Sequence, residues 1–189
     1  MATEAASRRQ PARSIARAAW PSSSRPGMAA PDPGARREVA VARRISHRWN
    51  DLFDIVLDLE RYPAFVPHCR AVKVLSRSVD DRDRCIVVSR MTVGLSGWEV
   101  GYANRTIGDR AARRIEVAAL DGPLSHLRVV WTFKPEGDDA TWVEFVADYG
   151  FSSRVFSALA AGVFDATCTD IVGAFERHAD RLLGRKPSH

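Results

Sequence analysis

His68 and Cys69 stand side by side, and an imidazole next to a thiol is the pairing that nucleophilic catalysis and zinc binding both use. Neither chemistry is completed elsewhere in the chain. Cys85 and Cys168 are far from Cys69 in sequence, no C-x-x-C pair occurs, and no second His or Cys pair at ligand spacing accompanies the first. A G-x-S-x-G elbow and a phosphate-binding glycine loop are also missing. Acid and base work inside a cavity needs carboxylates or imidazoles that face a substrate. Glu99, Glu116 and Glu144 alternate with apolar residues, so their parity turns them outward. His126, at the start of an alternating run, and His178, late in a helical run, read as surface or capping residues. The expectation from these residues is no catalytic residue, no metal and no catalytic cofactor.

The elements that would carry these residues are legible from their periods. "VAVARRIS" from Val39 alternates as a strand, and Ser46 is placed to cap the helix "HRWNDLFDIVLDLERY", in which Trp49, Phe53, Val56 and Leu57 recur at helical spacing. Pro63 ends that helix or forces a new turn. Six alternating runs follow, from "AVKVLSR" to "TWVEFVADY", separated by turn clusters such as "SVDDRD", "DGP" and "KPEGDDA". They read as an antiparallel meander. The last run, "SSRVFSALAAGVFDATCTDIVGAFERHADRLLG", is one long helix with Ser152 or Ser153 as its cap and Gly184 as its stop. About thirty helical residues reach roughly 45 Å, enough to cross a small domain. The order predicts an α+β helix-grip architecture: a curved antiparallel sheet of about seven strands wrapped round a long C-terminal helix, with two short helices after the first strand.

A sheet that curves round a helix leaves space at its open end, and the small residues "ALAAG" at 158 to 162 leave that space unfilled. Inward-facing candidates to line it are Val117, Leu124, Leu127, Val129, Trp131, Phe133 and Phe145 from the strands, with Leu95 from an earlier hairpin. Phe156, Leu159 and Phe164 come from the helix, and Tyr62, Phe65 and Val66 stand at the mouth. Such a lining suits a lipid-like ligand.

Composition sets the frame for this domain. The chain has 189 residues, 46% of them hydrophobic, and a net charge of +5. Most of that charge sits in the first 38 residues, where seven arginines face three acids; the other 151 residues carry a net charge of only +1. A nearly neutral folded part gives no general basic field for nucleic acid, and no DNA partner is expected. Residues 1 to 38, rich in Arg, Ala and Pro, are expected to be a disordered extension, either without function and preceding a start at Met28 or serving as a targeting leader. The domain then covers 39 to 184, with 185 to 189 as a tail. An odd set of widely spaced cysteines fits a reducing compartment. Arginines number 25 against three lysines, the usage of a GC-rich, bacterial coding sequence.

Four stretches together carry a family resemblance. Tyr62, Pro63, Phe65, Pro67 and Cys69 match a Y-P-x-F-h-P-x-C segment, where h is aliphatic. "MTVGLSGWEVGYANRT" matches a strand-turn-strand, "LDGPLSHLRVVWTF" a Gly-Pro strand ending W-x-F, and the run from Val143 to Gly184 a last strand and long helix. From about Val39 to Gly184 the chain resembles the coenzyme Q-binding branch of the START-like superfamily, the relatives of polyketide cyclases. It departs from that pattern at His68, where the family commonly carries an aromatic residue, and at "PLSH". The resemblance implies a noncatalytic carrier or chaperone of a polyprenyl quinone, coenzyme Q, that supports respiratory electron transport. It also implies peripheral membrane contact, through residues 62 to 67 and the first half of the long helix near Phe156 and Leu159, and respiratory complexes as possible partners. The place expected is the cytoplasm beside the inner membrane in a bacterium, or the matrix side in a mitochondrion. The same family offers two alternatives: a ribosome-association toxin of the large subunit, with Arg43, Arg44 and Arg48 and the arginines of the first 38 residues as contacts, and a polyketide cyclase or dehydratase.

Overall fold

The computed structural model describes residues 36 to 184, apart from Ser96 and the side chains of Leu95 and Leu159. Seven strands, β1 (Arg37–Ile45), β2 (Cys69–Val79), β3 (Cys85–Leu95), β4 (Trp98–Asp109), β5 (Arg114–Ala119), β6 (Leu124–Glu136) and β7 (Ala140–Phe151), form one sheet. Its order is β1-β7-β6-β5-β4-β3-β2, and the pairing is antiparallel throughout. Helix α1 (Trp49–Leu57) and a short 3-10 helix (Leu59–Ala64) follow β1, and α2 (Arg154–Leu183) closes the chain. This is the helix-grip order read from the sequence. β1 begins two residues before the expected boundary, because Arg37 and Glu38 still find partners in Tyr149 and Asp148.

Alternation fixes which strand faces turn to α2. Leu127, Trp131 and Phe133 on β6, Val143, Phe145, Ala147 and Tyr149 on β7, and Ile115 on β5 are all buried. The outward carboxylates take basic partners: Glu116 accepts from Arg114 and Arg128, and Glu144 from Lys134. Two register shifts in edge strand β2, between Cys69 and Ala71 and between Val74 and Ser76, add local twist where the chain enters the sheet.

Helix α2 starts where expected, with Ser153 accepting from the backbone N–H of Phe156, and ends at Gly184 with φ of 81°. The start of α1 differs from expectation. Its N-cap is Arg48, with extended backbone and no side-chain cap, in place of Ser46. The reason is His47, which is fully buried, bonded through Nε2 to Asp180 Oδ1 at 2.8 Å, while its carbonyl accepts from Thr141 Oγ1 at 2.8 Å. These bonds hold the backbone extended past Ser46 and delay the helix. Pro63 sits inside the 3-10 helix, which needs no N–H from it at that point.

The ends of the sheet are treated differently. Where β4 and β6 finish, α1 lies on them: Phe53 packs on Phe133 with ring centroids 5.6 Å apart, and a Cβ added at Gly108 would meet Leu57 Cδ1 at 2.8 Å. At the opposite end, where β4 and β6 begin and β3 and β7 finish, the inner face is met by the first half of α2 and, from one side, by the 3-10 helix.

Candidate functional site: an apolar cavity between sheet and helix

At that second end lies a cavity of about 130 Å³. One wall is the inner face of β3 to β7, with Met91, Tyr102, Val117, Trp131 and Phe145 among its residues. The opposite wall is α2, where Ala160 leaves room between Phe156 and Phe164. Leu59, Tyr62, Val66, Pro67 and His68 close one side, and Pro123, Leu124 and Phe151 stand at the rim.

Ten of the expected side chains line it: Tyr62, Val66, Val117, Leu124, Leu127, Val129, Trp131, Phe145, Phe156 and Phe164. Leu95 and Leu159 fall among the side chains that are not described. Phe133 and Phe65 are not part of the lining and need correction. Phe133 lies two residues beyond Trp131 on the same face, and there α1 already fills the interior with Phe53. Phe65 turns to the later half of α2 instead. Its ring stacks on His178 at 3.9 Å with an interplanar angle of 8° and meets Phe175 edge-on at 4.9 Å. His178 is therefore buried in a ring cluster and is not the surface residue expected; burial, with Arg181 and Arg61 nearby, lowers its pKa.

The lining is chemically quiet. Among the described residues it contains no Asp, Glu, Lys or Arg. Cys69 and Cys168 both border the cavity, and burial pushes their thiols up to about 11 and about 12, so both stay protonated at neutral pH. Burial likewise raises the Tyr62 and Tyr102 hydroxyls; Tyr62 donates to the Val56 carbonyl, and Tyr102 to Met91 Sδ at 3.1 Å. His68 has φ of 61°, an unusual value for a side chain with a Cβ, and its carbonyl accepts from Gly94 N–H at 2.8 Å. Its role in the loop is therefore first a backbone one. No group of three or more His, Cys, Asp or Glu among the described residues is arranged to hold a metal.

The sequence reading missed the polar part of the wall. Ser89 on β3 and Asn104 on β4 are opposite in register, and Ser89 Oγ donates to Asn104 Oδ1 at 3.0 Å. Thr106, next on the same face, reaches the same oxygen at 3.5 Å. All three are buried, and Asn104 and Thr106 line the cavity. The signal was present in "GWEVGYANRTI", where Val100, Tyr102, Asn104 and Thr106 share one parity.

The rim carries exposed apolar side chains. Trp98, which opens β4, is 78% exposed, and Val155 in the first turn of α2 is 73% exposed. Antiparallel pairing puts the start of β4 and the end of β7 at this one end of the sheet, whereas β5 stops level with Asn104. Among the described residues no helix is long and apolar enough to cross a membrane.

A curved sheet gripping one long helix around an apolar cavity is the architecture of a START-like protein. Residues 45 to 176 match the family model described as polyketide cyclase / dehydrase and lipid transport, and the chain belongs to that family. It is 30% identical over 164 residues to the mitochondrial coenzyme Q-binding protein COQ10 homolog B of Xenopus laevis, covering 84% of this chain and 65% of that one. It is 28% identical over 135 residues to the ribosome association toxin RatA of Rickettsia prowazekii, covering 70% and 88%. Among solved structures, the 18 kDa protein CC1736 of Caulobacter crescentus is 33% identical with a TM-score of 0.63, covering 79% of this chain and 99% of that one. The Zhui aromatase/cyclase of a Streptomyces species, at 16% identity and a TM-score of 0.63 over 78% and 96%, shares the fold.

Proposed function

We propose that this protein binds a polyprenyl quinone of the coenzyme Q class in the cavity and carries it between a membrane and the respiratory complexes that use it. The observation that carries the reading is the lining: apolar, walled by the sheet and by α2, and without a carboxylate or a cationic side chain among the described residues. Most of the affinity then comes from buried apolar area. Each 100 Å² or so of apolar ligand surface removed from water contributes about 2.5 kcal/mol, without any catalytic group. The likeness to a protein named for coenzyme Q binding supports the same ligand class. Exposed Trp98 and Val155 at the open end suit contact with a bilayer surface, where a tail passes between lipid and protein. Depending on the cell, that surface is a bacterial inner membrane or the matrix side of a mitochondrial one. The test is purification of the full chain from cells with quinone-containing membranes, organic extraction and mass spectrometry. A stoichiometric prenyl quinone supports the reading, and a protein that stays empty in quinone-rich cells overturns it.

A second reading, association with a ribosome, rests on the equally similar relatives named for it. Three of the arginines read as contacts for it are already engaged, Arg43 with Glu176 at 2.6 Å, Arg44 with Glu136 at 2.9 Å and Arg48 with Asp139 at 3.7 Å, while those of residues 1 to 35 lie outside the described residues. Cosedimentation with ribosomal subunits at physiological salt would favour it. An enzyme of the cyclase kind would need a proton donor or acceptor in the wall. The thiols bordering this cavity are held protonated, and its one imidazole, His68, has no carboxylate bonded to it among the described residues. Turnover of an aromatic polyketide would nevertheless establish that reading.

A further inference from the structure

Asn104 is 2% exposed, yet half of its side chain is unused. Its carbonyl oxygen takes both nearby hydroxyls, Ser89 Oγ at 3.0 Å and Thr106 Oγ1 at 3.5 Å. Its amide nitrogen has no partner among the described residues. Among the described residues no fully enclosed side-chain nitrogen or oxygen is left without one, so this nitrogen opens onto the cavity that Asn104 lines. A buried amide whose two N–H groups face an apolar space is unfavourable unless something accepts from them. Three polar residues on an inner sheet face otherwise occupied by Val100, Tyr102 and Val117 would be more simply apolar if they only filled the core.

Position adds the second argument. Along the inner face of β4, Asn104 lies six residues from Trp98 at the rim, about 20 Å at strand rise, and four from Gly108, where Leu57 and Phe53 close the interior. It therefore stands near the deep end. A dry cavity of roughly 150 Å³ is enough for one six-membered carbon ring. The enclosed volume here, about 130 Å³, is of that order and far too small for a polyprenyl tail.

We propose that Asn104 is the head-group anchor of the cavity: its amide donates to a carbonyl oxygen of a ring-shaped ligand, which lies ring inward with its apolar tail leading to the rim at Trp98 and Val155. Ser89 and Thr106 are positioning residues that hold the amide by its oxygen. The inference rests on the quinone reading for the ligand's identity, but its content is the chemistry of the anchor, a hydrogen-bond donor for a ring carbonyl.

The experiment is calorimetric titration of the full chain with three probes: a short-tailed dimethoxy-methyl-benzoquinone, a tail-matched alkylbenzene without ring oxygens, and a tail-matched aryl ketone. Asn104→Leu is expected to weaken the quinone and the ketone about tenfold and to leave the alkylbenzene within about twofold. Asn104→Ala must show the same selective loss, and retained alkylbenzene binding certifies the fold of either variant. Equal losses for all three probes, or no loss for the carbonyl probes, would overturn the anchor. If the wild type binds the ketone but not the quinone, and Asn104→Leu loses the ketone, the quinone reading fails and the anchor stands. If it binds none of the three, both fall.

Discussion

One inner sheet face runs through both ends of this domain, and the ends differ in what lies against it. At the α1 end Phe53 fills the interior, flanked by Trp49 at 6.1 Å and Phe133 at 5.6 Å between ring centroids, and capped outside by Arg110 over its ring at 4.8 Å. At the α2 end the helix presents Ala160, and the wall across from it keeps about 130 Å³ open. The same strands build core in one place and a site in the other. What decides is the volume of the helical residue opposite, which is a property of α1 and of the first turns of α2 and not of the sheet.

Substitutions that exchange the two treatments should separate stability from binding. Phe53→Ala hollows the solid end, and chemical denaturation should show a loss of about 3–5 kcal/mol, as for other fully buried aromatic truncations. Quinone affinity measured on the protein that remains folded should hardly change. Ala160→Leu does the reverse by filling the open end. Because it grows into existing space, its stability should stay within about 1 kcal/mol of wild type. Quinone binding should fall at least about tenfold, roughly 1.4 kcal/mol in affinity. An Ala160→Leu protein that keeps its affinity would place the ligand elsewhere.

The comparison also explains which parts of the molecule the sequence disclosed. Alternation in "HLRVVWTF" identifies a face, and Leu127, Val129, Trp131 and Phe133 do share one. Alternation carries no information on position along that face, so Phe133 looked equivalent to Trp131 although α1 covers only the former. Phe65 was misplaced for a related reason: its direction depends on a 3-10 turn through Pro63 and on His178, more than a hundred residues away. Asn104 and Thr106 had the right parity, but a polar residue in an amphipathic strand reads as solvent-facing until the curvature of the sheet is known. Long-range bonds such as His47 to Asp180 leave no local signature at all, which is why the start of α1 was expected at Ser46.

The junction between the two ends should respond to pH. His178 stacks on Phe65 beside Tyr62 and Phe175, and its pKa is lowered by burial first, then by Arg181 and Arg61, against a smaller opposing effect of Asp58. The unfolded imidazole takes up a proton near pH 6.5 or so, whereas the folded one resists it until lower pH. Stability from this group is therefore complete above that value and declines as pH falls through it, since the unfolded state binds more protons. Unfolding followed from pH 7.5 to 5.5 should show a steeper decline for wild type than for His178→Gln. A difference of at most about 1 kcal/mol is expected for a modest shift. Parallel profiles would mean that the stacked ring titrates as it does in the unfolded chain.

The smallest effect concerns the residue at the entrance. His68 holds φ of 61°, a left-handed conformation that disfavours a Cβ by roughly 1–2 kcal/mol. Glycine removes that strain but gains freedom in the unfolded chain, which returns about 0.5–1 kcal/mol. His68→Gly should therefore stabilise the protein by between zero and about 1 kcal/mol in chemical denaturation. The backbone bond from Gly94 N–H to the His68 carbonyl is retained, so the loop keeps its path and the deep end of the cavity is untouched. Quinone affinity should stay within about twofold, unlike the loss expected from Ala160→Leu. A clear loss of stability instead would mean that imidazole packing at the entrance outweighs the backbone strain, and the open end would then be less open than its volume implies.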